Sequence, residues 1–149
     1  MSDELLELAN AGMENTIPIA HKMGLRFTHI EPGHVTAEVP FEGNGNHFGA
    51  MYAGVLFTVG EIIGGPLAMA TFDMGQYYPL VKSLTIEFLK PASSTVTSET
   101  RLDLEDAAKL QAIADETGKA EFQLVSELHD EQGVLVGRTT GTYQIRKVG

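Results

Sequence analysis

The chain has 149 residues, 20 Asp and Glu against 10 Lys and Arg, and neither cysteine nor tryptophan, which gives a formal charge of −10 and a pI near 4.8. That length fits one domain over 1–149, with about 68–70% of the unfolded chain's surface available for burial, and the missing cysteines exclude disulfides, thiolate nucleophiles and thiolate-held metals. The carboxylate excess without any Lys/Arg cluster excludes a phosphate-backbone binder, so no nucleic-acid partner is expected; Met1-Ser2-Asp3-Glu4-Leu5 lacks the basic start of a signal peptide, so a cytoplasmic protein is.

From residue 3 to about 22, Leu5, Leu8, Ala9, Gly12 and Met13 recur at helical spacing, with Asp3 and Glu4 in the first turn and Pro18 bending or ending the second half. Alternation over 25–30 and 35–39 around Glu31-Pro32-Gly33-His34 predicts a hairpin. Residues 42–49 hold three glycines and two asparagines and read as an irregular loop. Next comes a segment from 53 to about 70, apolar on almost every side. It contains no clean run of about 18 apolar residues, so it reads as a core helix and not a membrane span, with Pro66 kinking or ending it.

Strands are predicted over 81–89 and 95–104, a short helix over 105–116 closed by Gly118, and a final hairpin over 120–129 and 134–146. Alternation places Lys82, Leu84, Ile86 and Phe88 on one face of the third strand, toward the central helix, with Lys82 at its edge. The order α, β, β, long α, β, β, short α, β, β predicts an α+β fold in which an antiparallel sheet curls around one hydrophobic helix.

The run Asn46-His47-Phe48-Gly49-Ala50-Met51-Tyr52-Ala53-Gly54 through Glu61 resembles the hotdog-fold acyl-CoA thioesterases, particularly the phenylacetyl-CoA thioesterase-like group. That group has a loop Asn, a His-Gly-Gly at the start of the central helix and an acidic residue two turns into it. Here Asn46, Gly54 and Glu61 keep this register, while Tyr52 and Ala53 stand where the group has His and its first Gly. Leu84 to Ala92, with Lys90-Pro91, is similar to the group's strand that ends in a basic residue and proline, and the helix over 105–116 is additional to the common pattern. The resemblance implies the hotdog fold and thioester hydrolysis of an acyl-CoA substrate. It also implies a homodimer with sheets joined edge to edge, often paired into a tetramer, with sites built from two chains.

Each residue has its own chemistry. On a helical wheel Glu61 shares a stripe with Gly54, Thr58, Gly65 and Ala68, and a carboxylate on so apolar a helix is pushed up in pKa, as suits a general base acting on water. The unpaired backbone amides of Ala53 and Gly54 at the helix start are candidates for stabilising an oxyanion. Asn46 is a candidate for orienting water or thioester, and Tyr52, His47 and Lys82 for contacting substrate; Lys90, Arg101, Lys109, Arg138, Arg146 and Lys147 are candidates for the coenzyme phosphates. His21, His29, His34 and His129 lack ligand spacing, so no metal or cofactor is assigned. Two other readings stay open: a non-catalytic acyl-thioester or fatty-acid binding module, and a 3-hydroxyacyl thioester dehydratase using His47 with Glu61.

Overall fold

A computed structural model describes residues 2–149. Helices α1 (Ser2–Thr16) and α2 (Pro18–Lys22) precede strands β1 (Arg26–Glu31) and β2 (His34–Val39); α3 (Ala53–Glu61) and α4 (Gly64–Thr71) follow the loop; then come β3 (Tyr77–Phe88), β4 (Val96–Arg101), α5 (Leu104–Thr117), β5 (Lys119–His129) and β6 (Leu135–Lys147). The strands form one antiparallel sheet in the order β1-β2-β4-β5-β6-β3. Alternation does what pleating demands of a sheet with one dry face: on β5, Ala120, Phe122, Leu124, Ser126 and Leu128 are buried and the residues between them exposed. Together with Val35, Ala37 and Val39 they enclose Val55, Leu56, Val59, Ile63 and Leu67 of the central helical segment. By length and mean hydropathy, 19 residues at 1.5, the segment Ala53–Thr71 would suit a bilayer; half of its most apolar stretch is buried inside this fold.

The central segment is broken. Its break falls at Ile62 and Ile63, one turn ahead of Pro66, whose ring crowds the carbonyl four residues back and supplies no N–H to it. Among the described residues the Val59 carbonyl receives no N–H from Ile63, and Pro66 has none to give to Ile62, so the backbone ladder is interrupted at the break. Three strand hydroxyls reach consecutive carbonyls there: Ser98 on β4 donates to Val59 O at 2.6 Å, Ser126 on β5 to Gly60 O at 3.4 Å, and Tyr143 on β6 to Glu61 O at 3.2 Å. The approach needs glycine, because a Cβ on Gly60 would lie 2.5 Å from Thr139 Cγ2 and one on Gly64 would lie 2.1 Å from the Tyr143 ring.

The first helical segment is divided at the proline, as the sequence predicts. Pro18 opens α2 as its first residue, where no N–H is required, and so separates it from α1. The third strand begins at Tyr77, four residues ahead of its predicted start, and runs through Pro79, which an edge strand tolerates because one of its sides has no ladder. A bulge between Val81 and Ser83 then reverses the predicted facing of Lys82. Leu84 and Ile86 keep the inner face, opposite Gly141 and Thr139. Lys82 turns outward, where its Nζ lies 3.0 Å from Glu121. The extra helix α5 forms as predicted, with Asp103 accepting from the Glu105 and Asp106 amides and Gly118 closing it at φ 89°.

The two sheet edges differ. Against β1, the Asn10 side chain of α1 donates to Phe27 O at 2.9 Å and accepts from Phe27 N at 2.7 Å, so a helix side chain occupies the place of a further strand. Among the described residues β3 pairs only with β6.

Ser98→Ala is expected to lower stability by about 1–3 kcal/mol by orphaning the Val59 carbonyl, and Gly64→Ala by about 1–3 kcal/mol through overpacking on Tyr143. Urea unfolding measures both, with exposed Ser83→Ala as reference; a Ser98 variant no weaker than the reference would remove the hydroxyls from this account.

Candidate active site

Glu61 is the last residue of α3, held at its own carbonyl by Tyr143. Its side chain enters an apolar cavity of about 470 Å³ between α1, β1 and the helix break, lined by Leu5, Leu8, Gly12, Phe27, Ile62 and Met69 among others. It is the only titratable group in that lining. Burial raises its pKa above the ordinary 4.5, with no partner charge offsetting the lost hydration. The negative end of the α3 dipole acts in the same direction. The Tyr143 hydroxyl is pushed up as well, first by its burial and second by the Glu61 charge, and stays a neutral donor.

The loop ahead of α3 is irregular and tightly tied. Asn44, buried, donates from Nδ2 to Met23 O and Pro40 O at 2.7 Å each, and its carbonyl accepts from Tyr52 N at 2.8 Å. Asn46 accepts at Oδ1 from the amides of Phe48 and Ala50 at 2.9 and 3.1 Å. This turns its acceptor into the loop and leaves Nδ2 as the end with a proton to give. Tyr52 caps α3 with an extended backbone but no side-chain hydrogen bond, and its carbonyl takes the amides of Val55 and Leu56. Among the described residues no backbone carbonyl accepts from the Ala53 or Gly54 amide, as the geometry of a helix start requires. Asn46 and Ala53 line a second cavity of about 270 Å³ together with Leu56, Phe88, Lys90 and Pro91.

The structure thus gathers Asn46, Ala53 and Lys90, with Gly54 next in the chain, and sets Glu61 elsewhere. At 1.5 Å per residue Glu61 lies about 12 Å along the helix axis from Ala53, and the two cavities share no lining residue. Tyr52 lies over Gly54, where an added Cβ would meet its ring at 2.6 Å. His47 lies outside both cavities, its ring exposed and 4.0 Å from that of Phe48 between centroids. Lys82 is on the outer face with Glu121, away from both cavities. Of the other basic residues, Arg101 is paired with Glu99, and Arg138 with Glu87 and Glu127. Asn44 went unread in the sequence; its signal was a second loop Asn next to a glycine, whose partners at Met23 and Pro40 lie on other segments.

The family model described as a domain of unknown function, DUF4442, matches residues 7–145. A solved structure of a protein of unknown function from Pseudomonas aeruginosa, PA5026, described as a probable thioesterase, is 43% identical over 95% of each chain, with a TM-score of 0.90. Thioesterase PA1618 of the same organism, solved as a mutant, is 20% identical over 96% of this chain and 94% of its own, at 0.76. The Escherichia coli PaaI protein from the phenylacetic acid degradation operon is 14% identical over 99% and 96%, at 0.69. No curated protein matches. The last two likenesses establish the fold, and neighbours named as thioesterases support thioesterase chemistry at that level. With a six-stranded sheet curled around a central helical segment and a family match over nearly its whole length, the chain belongs to the DUF4442 family and has the hotdog fold.

Proposed function

We propose that the protein hydrolyses an acyl-CoA thioester to a free acid and coenzyme A, with Glu61 as the base that activates water. The observation that carries this reading is an unpaired carboxylate of raised pKa, alone in the wall of an otherwise apolar cavity. Structural use of a carboxyl group there is uneconomical: a buried charge without a partner destabilises the fold, whereas a base poised toward neutral pH gains from that same environment. Glu61 takes a proton from water as the oxygen attacks the thioester carbon. The Ala53 and Gly54 amides and Asn46 Nδ2 receive the developing oxyanion. Collapse breaks the C–S bond, and the leaving thiolate takes up the proton.

Because Glu61 and the amides of one chain are too far apart to meet on one carbonyl, the reading requires a homodimer in which the α3 start of one chain faces Glu61 of the other. Two features favour pairing through β3. Its outer edge has unpaired backbone groups over a strand of 12 residues, an edge left open when β1 is covered. Beside it Phe88 and Phe57 are exposed on the inner side. Lys90, on the rim of the second cavity, is placed for a coenzyme phosphate. No observation favours dehydration, since His47 lies outside the cavities.

The 470 Å³ cavity falls within the about 300–1,000 Å³ of small-molecule sites and receives the acyl group in this reading. Gly12 supports that use. It stands inside α1, where glycine costs a helix about 1 kcal/mol against alanine, yet an added Cβ would meet nothing within 4 Å. What the small residue provides is open space in the cavity wall.

Three outcomes follow. Glu61→Gln is expected to cut thiol release from an acyl-CoA panel by about 10²- to 10⁴-fold with fold and assembly intact; unchanged turnover would end the reading, and tight binding without turnover by the parent would replace it with a binding module. Activity should rise with pH through a value above 4.5 and then level off, because the working form is the anion. In the unfolded chain the same carboxyl ionises at its ordinary value, so its contribution to stability is greatest below that value and is lost as pH rises through the raised one; Glu61→Gln should abolish both the activity limb and this decline. Gly12→Leu should raise the melting temperature and remove activity on the longest accepted acyl groups first, as steady-state rates across chain length would show.

A further inference from the structure

The hairpin β1–β2 turns through Pro32 and Gly33, with Gly33 at φ 78°, the combination a type II turn requires. A Cβ at Gly33 would lie 2.5 Å from Leu102 O, and its amide donates to Thr71 Oγ1 at 3.0 Å, so the turn is fixed from two sides. Strand spacing puts His29 and Glu31 on one face of β1, and the register sets His34 opposite Glu31. Three ligand-type atoms, one from each residue, lie within 4.8 Å of one another.

Their polarity is unresolved. His34 Nε2 lies 2.7 Å from Glu99 Oε2 and donates to that carboxylate, which leaves Nδ1 as the lone-pair nitrogen of a neutral ring. That nitrogen faces Glu31 Oε1 at 3.4 Å. His29 Nε2 lies 3.1 Å from the same oxygen, yet it is shut off from solvent and makes no hydrogen bond. Two ring nitrogens and a carboxylate oxygen therefore converge beside the turn.

We propose that His29, Glu31 and His34 form a binding site for a zinc-like divalent cation. Ligands about 2.1 Å from a tetrahedral zinc stand about 3.4 Å apart, close to the N···O separations of 3.1 and 3.4 Å. Two imidazoles and a carboxylate select zinc, cobalt or nickel over magnesium or calcium. Glu99 orients His34 through the nitrogen that does not bind metal, the usual carboxylate support of a ligating histidine, and Arg101 lies 3.5 Å from Glu99. Three protein ligands leave an open position, and the negative chain favours a cation. Sequence reading missed the site because it judged the histidines by linear spacing; the signal was His-x-Glu-Pro-Gly-His, where a period of two meets a tight turn.

The test is Zn²⁺ calorimetry and Co²⁺ visible absorption on the full chain after EDTA treatment, with His29→Gln, Glu31→Gln, Glu99→Gln and, away from the site, His21→Gln. One Zn²⁺ per chain is expected, with loss of stoichiometric binding in the His29 and Glu31 variants, weakening by about 10- to 100-fold in the Glu99 variant and none in the His21 variant. All four positions are at the surface or half-buried, and circular dichroism of the metal-free proteins checks the fold. Failure to bind one Zn²⁺ per chain, or equal binding by native protein and His29→Gln, overturns the proposal and leaves protons to bridge the cluster.

Discussion

Three hydroxyl groups make the central helix possible. An unbroken helix over 53–71 would carry the Pro66 ring against the preceding turn and leave the Ile62 carbonyl without a donor. Breaking it leaves the Val59 carbonyl without a backbone donor inside the core, where an unpaired acceptor costs about 1–3 kcal/mol. Ser98, Ser126 and Tyr143 come from three adjacent strands and reach the three consecutive carbonyls of Val59, Gly60 and Glu61. The sheet therefore does more than cover an apolar helix: it fixes the rotation and height at which the helix stops. Gly60 and Gly64 leave room for β6 to approach the helix, at Thr139 and at the Tyr143 ring.

The position of Glu61 follows from that clamp. Its carbonyl is one of the three held, so its side chain leaves the backbone in one direction, into the cavity beneath α1. The cavity in turn depends on Asn10, which anchors α1 to β1 by copying a strand's donor and acceptor, and on Gly12, which leaves one helical turn bare. Stability is surrendered at Glu61, at Gly12 and at the uncapped start of α3. Local rules broken together at neighbouring positions mark a place where the chain serves something besides its own folding.

Most elements were legible because each is driven by local pattern: alternation in β2 and β5, a capping Asp103 with Gly118 for α5, and an all-apolar stretch for the core helix. The errors came where one residue changes the phase. A bulge at Lys82 moved that side chain to the opposite face, and nothing in the alternation of 81–89 reveals an inserted residue. Pro79 hid the start of β3, since whether proline is tolerated depends on the strand lying at an edge. The candidate site was legible in its parts, Asn46, Ala53, Gly54 and Glu61. Their division between two cavities was beyond the sequence, because it depends on how far along α3 the loop folds back, a matter fixed by Asn44 and its partners on distant segments.

The unequal sheet edges bear on how copies of the chain associate. A sheet open on both sides can recruit strands without limit, which is the geometry of fibrils. Here the Asn10 amide blocks growth past β1, leaving β3 as the single growing end. In the proposed dimer, two such ends related by a two-fold axis would consume each other, and the outer borders of the joined sheet would both be helix-blocked. In that assembly one asparagine on a surface helix would act as a stopping rule, ending extension of the sheet after a single step.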